Sequence, residues 1–337
     1  MTSKSNLVKF IGILILISLF GAACGQATPE EYGDIVIGPE EFESGQGADA
    51  TQPPTRTASP APTGTPTLEL AITPSPTSTI PPFELHLSKA QEYIDYLEFD
   101  LAIEELNQAI TIDPNSPEGY LQRGMVYLDL GKYDEAIADF TQVITLDDSI
   151  ARAYSNLGIA QAQKENFDQA FIEFEKALKI DPEDPQIYIN RGITYVANDQ
   201  SGYALADFDK AIELDPEYAE AYRYRGVLHT IRGVNESAIA DLNQALALDP
   251  ENPELYLARG NYYSSVNESE KAIDDFSEAI ALFPYYVEAY FLRAATYANL
   301  NDDENAVSDF RKALDMAGSG ELRELIIESL KELNAYP

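Results

Sequence analysis

Groups able to do chemistry are few in this sequence, and their spacing suits no reaction. The 337 residues include two histidines, His86 and His229. Both stand where the corresponding positions of the same chain carry tyrosine, so they read as aromatic substitutes and not as a general base or a metal ligand. No His-x-x-x-His pair, no His and Cys ligand set, no Ser, His and Asp order and no glycine-rich phosphate loop after a strand is present. Cys24 is the single cysteine, which rules out an intramolecular disulfide and a cysteine metal site. Paired carboxylates occur in LDDS from Leu146, IDDF from Ile273 and NDDEN from Asn301. These fall at helix ends or on outer faces and lack the loop spacing of a calcium site. VNES occurs twice, placing Asn235 and Asn267 in turns between helices. The expectation is a protein with no catalytic residues, no cofactor and no metal.

What the chain repeats is more informative than what it lacks. ALADFDKAIELDP from Ala204 returns 34 residues later as AIADLNQALALDP from Ala238. Pro114, Pro182, Pro216, Pro250 and Pro284 share that grid, and Asp148 fills the missing slot. Seven units follow: 83–116, 117–150, 151–184, 185–218, 219–252, 253–286 and 287–320. Their fourth place is His86 and then Tyr120, Tyr154, Tyr188, Tyr222, Tyr256 and Tyr290, and their twentieth is always Ala, from Ala102 to Ala306.

Each unit spells a helical hairpin. NSPEGY, EDPQIY and ENPELY put Ser116, Asp184 or Asn252 at an N-cap and proline at the first helical position. A second helix carries apolar places at three- and four-residue spacing, such as Ala204, Ala211, Ile212 and Leu214, before LDP stops it. One such hairpin cannot bury its own apolar stripe, so neighbours must stack into a solenoid. Residues 321–337 then place Leu322, Leu325, Ile326, Leu330 and Leu333 on one helical face, as a capping helix would.

Unit two reads YLQRGMVYLDLGKYDEAIADF, with Gly124, Tyr127, Gly131, Tyr133, Ala136 and Phe140. On these residues the array from 83 to 320 resembles the tetratricopeptide repeat family, whose 34-residue unit is a helix-turn-helix. The resemblance implies an all-α, right-handed α-solenoid of seven units with a C-terminal capping helix. The first unit departs from the pattern with Lys89-Ala90, and the last ends in Gly318 where proline is usual. Terminal units of such arrays are commonly atypical.

A second regularity is electrostatic. The seventh place is Arg in five units (Arg123, Arg191, Arg225, Arg259, Arg293), and those units have Asp at the twenty-third (Asp139, Asp207, Asp241, Asp275, Asp309). Units with Lys89 or Leu157 instead have Glu105 or Glu173. This matching predicts an ion pair between the helices of a unit or between neighbouring units, structural in purpose.

The family resemblance also implies where a ligand would lie, on the concave wall of first helices. That wall would carry Leu121, Met125 and Leu128 in unit two, Ser155, Asn156 and Ile159 in unit three, and Ile189, Asn190 and Ile193 in unit four, turning more polar through Glu220, Arg223, Glu254 and Asn261. Leu121 and Met125 stand where some family members place the Lys and Asn that clamp a terminal carboxylate. The groove would suit a protein or peptide segment with apolar anchors and some positive charge. The same side chains could instead pack against neighbouring helices.

Net charge is -35. Residues 1–82 hold 3 of the 22 Lys and Arg and 8 of the 57 Asp and Glu, leaving 19 - 49 = -30 on the remainder. No basic footprint is available for nucleic acid or for anionic lipid headgroups. The amino terminus, MTSKSNLVKFIGILILISLFGAACG, has Lys4 and Lys9 before an uncharged apolar run, as a secretory signal over 1–23 would. Gly21-Ala22-Ala23 is a small-residue site for an ordinary signal peptidase, and followed by Cys24 it resembles a bacterial lipobox, with Gly21 where a branched apolar residue is usual, a resemblance that implies lipidation of Cys24. From Cys24 to Pro82 the composition turns to Pro, Thr, Ser, Gly and Ala, which predicts a disordered tether. Together these features suggest an extracytoplasmic, lipid-anchored scaffold for protein partners in a cell envelope. The alternative is a structural subunit of a surface or secretion assembly, with an enzyme a distant third.

Overall fold

The computed structural model describes residues 80–336, and among them it contains fifteen helices and no strand. Unit one is α1 (Pro82–Asp95) and α2 (Phe99–Ile112), unit two α3 (Pro117–Asp129) and α4 (Tyr133–Leu146), and unit three α5 (Ala151–Gln163) and α6 (Phe167–Ile180). Unit four is α7 (Pro185–Ala197) and α8 (Ser201–Leu214), and unit five α9 (Ala219–Ile231) and α10 (Asn235–Leu248). Units six and seven are α11 (Pro253–Ser265) with α12 (Ser269–Leu282) and α13 (Val287–Asn299) with α14 (Asp303–Met316), and α15 (Glu321–Glu332) closes the array. The signal, Cys24 and the tether expected from the sequence lie outside the described residues, apart from the last few residues before α1.

Helix entry follows the capping logic in part. Asp184 accepts from the Gln186 N–H at 2.8 Å and Asn252 from that of Glu254 at 3.0 Å, while Ser116 makes no side-chain cap bond. Between the helices of every unit the fifteenth place is left-handed: Leu97, Gly131, Glu165, Asp199, Gly233, Asn267 and Asn301 have φ between 54° and 70°. Only two of the seven are glycine, and a side chain at this conformation is strained by about 1–2 kcal/mol. The next residue's N–H reaches back to the carbonyl of the eleventh place, as Gln200 does to Tyr195 at 2.7 Å and Lys132 to Tyr127 at 2.8 Å. This satisfies a carbonyl that the helix end would otherwise orphan. The two VNES segments therefore differ: Asn267 is the left-handed turn residue, but Asn235 is the first residue of α10, two places further along the unit.

The twentieth-place alanines and the aromatic or leucine four residues later are sealed between the two helices of their units. Ala136, Phe140, Ala204, Phe208, Ala272 and Phe276 have no exposed surface. At the eighth place of the first helix, glycine makes room for that ring. A Cβ on Gly260 would stand 2.5 Å from Phe276 Cε1, and one on Gly124 would stand 2.7 Å from the Phe140 ring. At the far end, Ile326 and Leu330 of α15 are buried on unit seven beside Leu292 and Phe310, with Leu322, Leu325 and Leu333 partly buried around them. Arg323 fastens the helix by donating from Nη1 to the Leu314 and Ala317 carbonyls at 2.9 and 2.8 Å.

Candidate protein-binding wall

The predicted ion pairs form within each unit, and four of the five arginines also reach a side chain of the preceding unit. Arg225, on α9, donates from Nε and Nη2 to both carboxylate oxygens of Asp241 on α10, at 2.8 and 2.7 Å. Its Nη1 reaches back to Asp209 on α8 of the preceding unit at 2.6 Å. Arg259 repeats this with Asp275 and, at 2.8 Å, Asn243, and Arg293 with Asp309 and, at 2.9 Å, Ser277. Arg123 holds Asp139 and also contacts Asn107. The matched Arg and Asp columns thus pair within the unit, and the contact to the preceding unit goes to the twenty-fifth place, which the sequence did not single out. Each guanidinium also lies over the fourth-place tyrosine, as Arg191 does over Tyr188 at 5.6 Å. In unit three, Leu157 removes the guanidinium, and Lys176 takes over from α6: it pairs with Glu173 at 2.9 Å and lies over Tyr154 at 5.7 Å. Burial is the main influence on both members of the Arg191 and Asp207 pair. It raises the Asp207 carboxyl above its ordinary range even though Arg191 pulls it down.

First helices of successive units are joined directly. Asn190 on α7 donates to the Ser155 hydroxyl on α5 at 3.0 Å and accepts from Gln186 at 2.9 Å. Tyr218, before α9, hydrogen-bonds Gln186, and burial followed by Glu220 holds its hydroxyl well above the usual tyrosine range. Arg223 on α9 is 4 % exposed, lies 4.2 Å above the Tyr224 ring, and pairs with Glu254 on α11 at 3.3 Å. None of these cross-links except the general placement of Asn190 and Arg223 on the wall was legible in advance, since each needs the pitch between units.

That row of first helices is the wall on which ligand-lining residues were expected. Ile189 has no exposed surface, and Ile193, Leu121, Leu128, Ile159, Asn190 and Asn156 are all under 10 % exposed. The apolar ones belong to core clusters that run across neighbouring units, at the fifth, ninth and twelfth places. Of the nine residues expected there in units two to four, Met125 alone is half-buried and the others are buried. Most of the apolar side chains expected to line a groove are therefore buried in the stack. Glu84 and Glu118 at the second place are exposed, and Glu220 and Glu254 are half-buried. Asn156 Nδ2, Asn261 Oδ1 and Arg223 Nε are buried without a hydrogen-bond partner among the described residues. Among those residues there is also no group of three or more His, Cys, Asp or Glu that could hold a metal, and no helix long and apolar enough to cross a membrane.

Family models agree with this architecture. Models described as tetratricopeptide repeat match residues 121–185, 173–206, 253–286 and 287–319, and one described as TPR repeat matches 92–131 and 228–267. Together they cover more than half of the 337 residues. The chain is a tetratricopeptide repeat protein. No curated protein matches it. Among solved structures, this tetratricopeptide repeat chain is similar to a tetratricopeptide repeat protein from Parabacteroides merdae, with 23 % identity and a TM-score of 0.57 over 75 % of this chain and 99 % of the other. It is also similar to the Cut9-Hcn1 hetero-tetramer of APC/C, at 17 % identity and a TM-score of 0.57 over 74 % of this chain and 49 % of that one. PilW, a type IV pilus biogenesis factor, aligns at 20 % identity and a TM-score of 0.51 over 61 % of this chain and 96 % of its own. At these identities the likeness is one of fold.

Proposed function

We propose that this protein is an extracytoplasmic scaffold, held at a membrane through lipidated Cys24, that binds a protein partner along the row of first helices. The observation that carries the reading is the continuity of that row: side chains from units three to six join one first helix to the next, through Ser155, Asn190, Gln186, Tyr218, Arg223 and Glu254. A wall cross-braced in this way presents side chains at fixed spacing to an extended or helical segment and loses little freedom on binding. The carboxylates of Glu84, Glu118 and Glu220 at equivalent places favour a partner with basic side chains. Cys24 as the sole cysteine, after a signal-like apolar run, supports the anchor.

Two substitutions test the two halves separately. Cys24→Ser should release the protein from the membrane fraction, and a variant that stays there at wild-type level would remove the lipid anchor. Met125→Glu should keep wild-type circular dichroism, because Met125 is the half-buried member of an otherwise buried set, and weaken capture of the native partner at least tenfold. A folded Met125→Glu that binds as tightly as wild type would exclude this wall.

A further inference from the structure

The turn between units six and seven departs from the chain's own rule. Of the six turns between units, five carry at least one carboxylate in their last four places: Asp113; Asp147 and Asp148; Asp181, Glu183 and Asp184; Asp215 and Glu217; Asp249 and Glu251. The sixth is Phe283-Pro284-Tyr285-Tyr286. In four of the acidic turns the aspartate also has a structural task, accepting the N–H two residues on, as Asp215 does from Glu217 at 2.9 Å and Asp147 from Ser149 at 2.9 Å. Phe283 cannot accept that bond. Its backbone is nevertheless the same: Phe283 has φ -131° and ψ 92° against -134° and 96° at Asp215, and both N–H groups close on the alanine four residues back at 2.9 Å. Tyr286 packs against the unit-seven core and the Phe283 ring lies 5.8 Å from it, but the backbone of the turn calls for no aromatic at Phe283 or Tyr285. These two are not buried, since Phe283 is 38 % and Tyr285 49 % exposed, beside Leu282 at 37 %.

We infer that this turn is a self-association surface, on which a second copy of the chain packs its own Phe283 and Tyr285. Aromatic side chains are enriched among the residues that carry interface energy, and the adjoining exposed Leu282, Phe283 and Tyr285 in an otherwise carboxylate-marked series of turns point to a contact. The missing charge selects the partner. A basic partner would be drawn to the turns that keep their carboxylates, whereas an acidic one is repelled by them. Two copies of a chain with net charge -35 repel each other least where the surface carries no carboxylate, and this is the one inter-unit turn that has none. A two-fold arrangement lets the same patch serve both copies and closes the contact at a dimer. The patch is small, so the dimer is weak. Because repulsion elsewhere opposes it, salt should strengthen it, the opposite of a charge-matched interface.

The test is sedimentation velocity on the full chain in density-matched mild detergent, from about 1 to 300 μM protein, at low and high sodium chloride. Wild type should shift from monomer to dimer with rising concentration, about three- to tenfold more readily at high salt. Phe283→Asp with Tyr285→Glu rewrites the turn as Asp215-Pro216-Glu217 has it, and should stay monomeric with an unchanged or higher melting temperature. Tyr285→Ser alone, which adds no charge, should weaken dimerisation at least threefold. A wild type that is monomeric throughout, association that weakens with salt, or a folded Tyr285→Ser that dimerises like wild type each overturns the proposal. A monomeric wild type that still requires Tyr285 to capture another protein would assign the turn to a different partner.

Discussion

Arg225 and Asp241 lie sixteen residues apart and face each other through two parallel N–H···O bonds, while the third arm of the same guanidinium crosses to Asp209 of the unit before. One side chain thus fixes both the closure of its own hairpin and the pitch to its neighbour. Asp241 is only 7 % exposed, so the pair contributes more by what its disruption costs than by its own net stabilisation.

Removing one member should accordingly hurt more than removing both. Arg225→Leu should leave Asp241 buried without its partner and destabilise unit five by about 3–5 kcal/mol. Arg225→Leu with Asp241→Leu should recover most of that. Urea unfolding combined with amide exchange in α9 and α10 checks the ordering, and a double variant no better than the single one would show that the clamp acts through geometry alone.

Close packing at the eighth place makes a sharp steric test. Gly260→Ala would put a methyl group 2.5 Å from the Phe276 ring, which is itself without exposed surface. The ring must shift, and overpacking of this kind costs about 1–3 kcal/mol. Thermal unfolding should show a lowered transition for Gly260→Ala. Ala294 holds the equivalent place above Phe310 in unit seven, so Ala294→Gly should lack the mirror-image gain.

The left-handed turns predict a stabilising change. Glu165 has φ 61° and is exposed, so its side chain adds strain without packing in return. Glu165→Gly should raise stability by about 0.5–1 kcal/mol, offset in part by the extra freedom glycine has in the unfolded chain. A lowered melting temperature would mean that the Glu165 side chain holds something at the surface of unit three.

Asp129 sets a pH dependence. Burial at the carboxyl end of α3 pushes its carboxyl up to about 7 from 3.8. A folded-state value above the unfolded one means the folded chain binds the proton more tightly. The contribution is therefore fully present below about pH 4 and is lost as pH rises towards 7 and beyond, by up to about 4 kcal/mol. Asp129→Asn should be more stable than wild type at pH 8 and nearly equal to it at pH 4. Equal stability of the two at both pH values would show that Asp129 ionises freely.

Much of this molecule is local information repeated, which is why so much of it was legible beforehand. Proline and aspartate at the unit ends, alanine at the twentieth place and the matched Arg and Asp columns each act within a few residues or within one hairpin, so periodicity alone exposes seven hairpins and their ion pairs. Contacts between units depend on the stacking pitch, a property that no single unit encodes. That pitch brings Asn190 to Ser155 and Tyr218 to Gln186, sends the third arm of Arg225 to Asp209, and covers Ile189 and Ile193, which a single hairpin would have left open as groove. Glu165 in a left-handed turn was hidden for a different reason: its side chain does not announce a conformation that glycine or asparagine would have signalled. The tertiary structure alone decided which apolar side chains remain for a partner, because burial is fixed by neighbouring units and not by the residue that is buried.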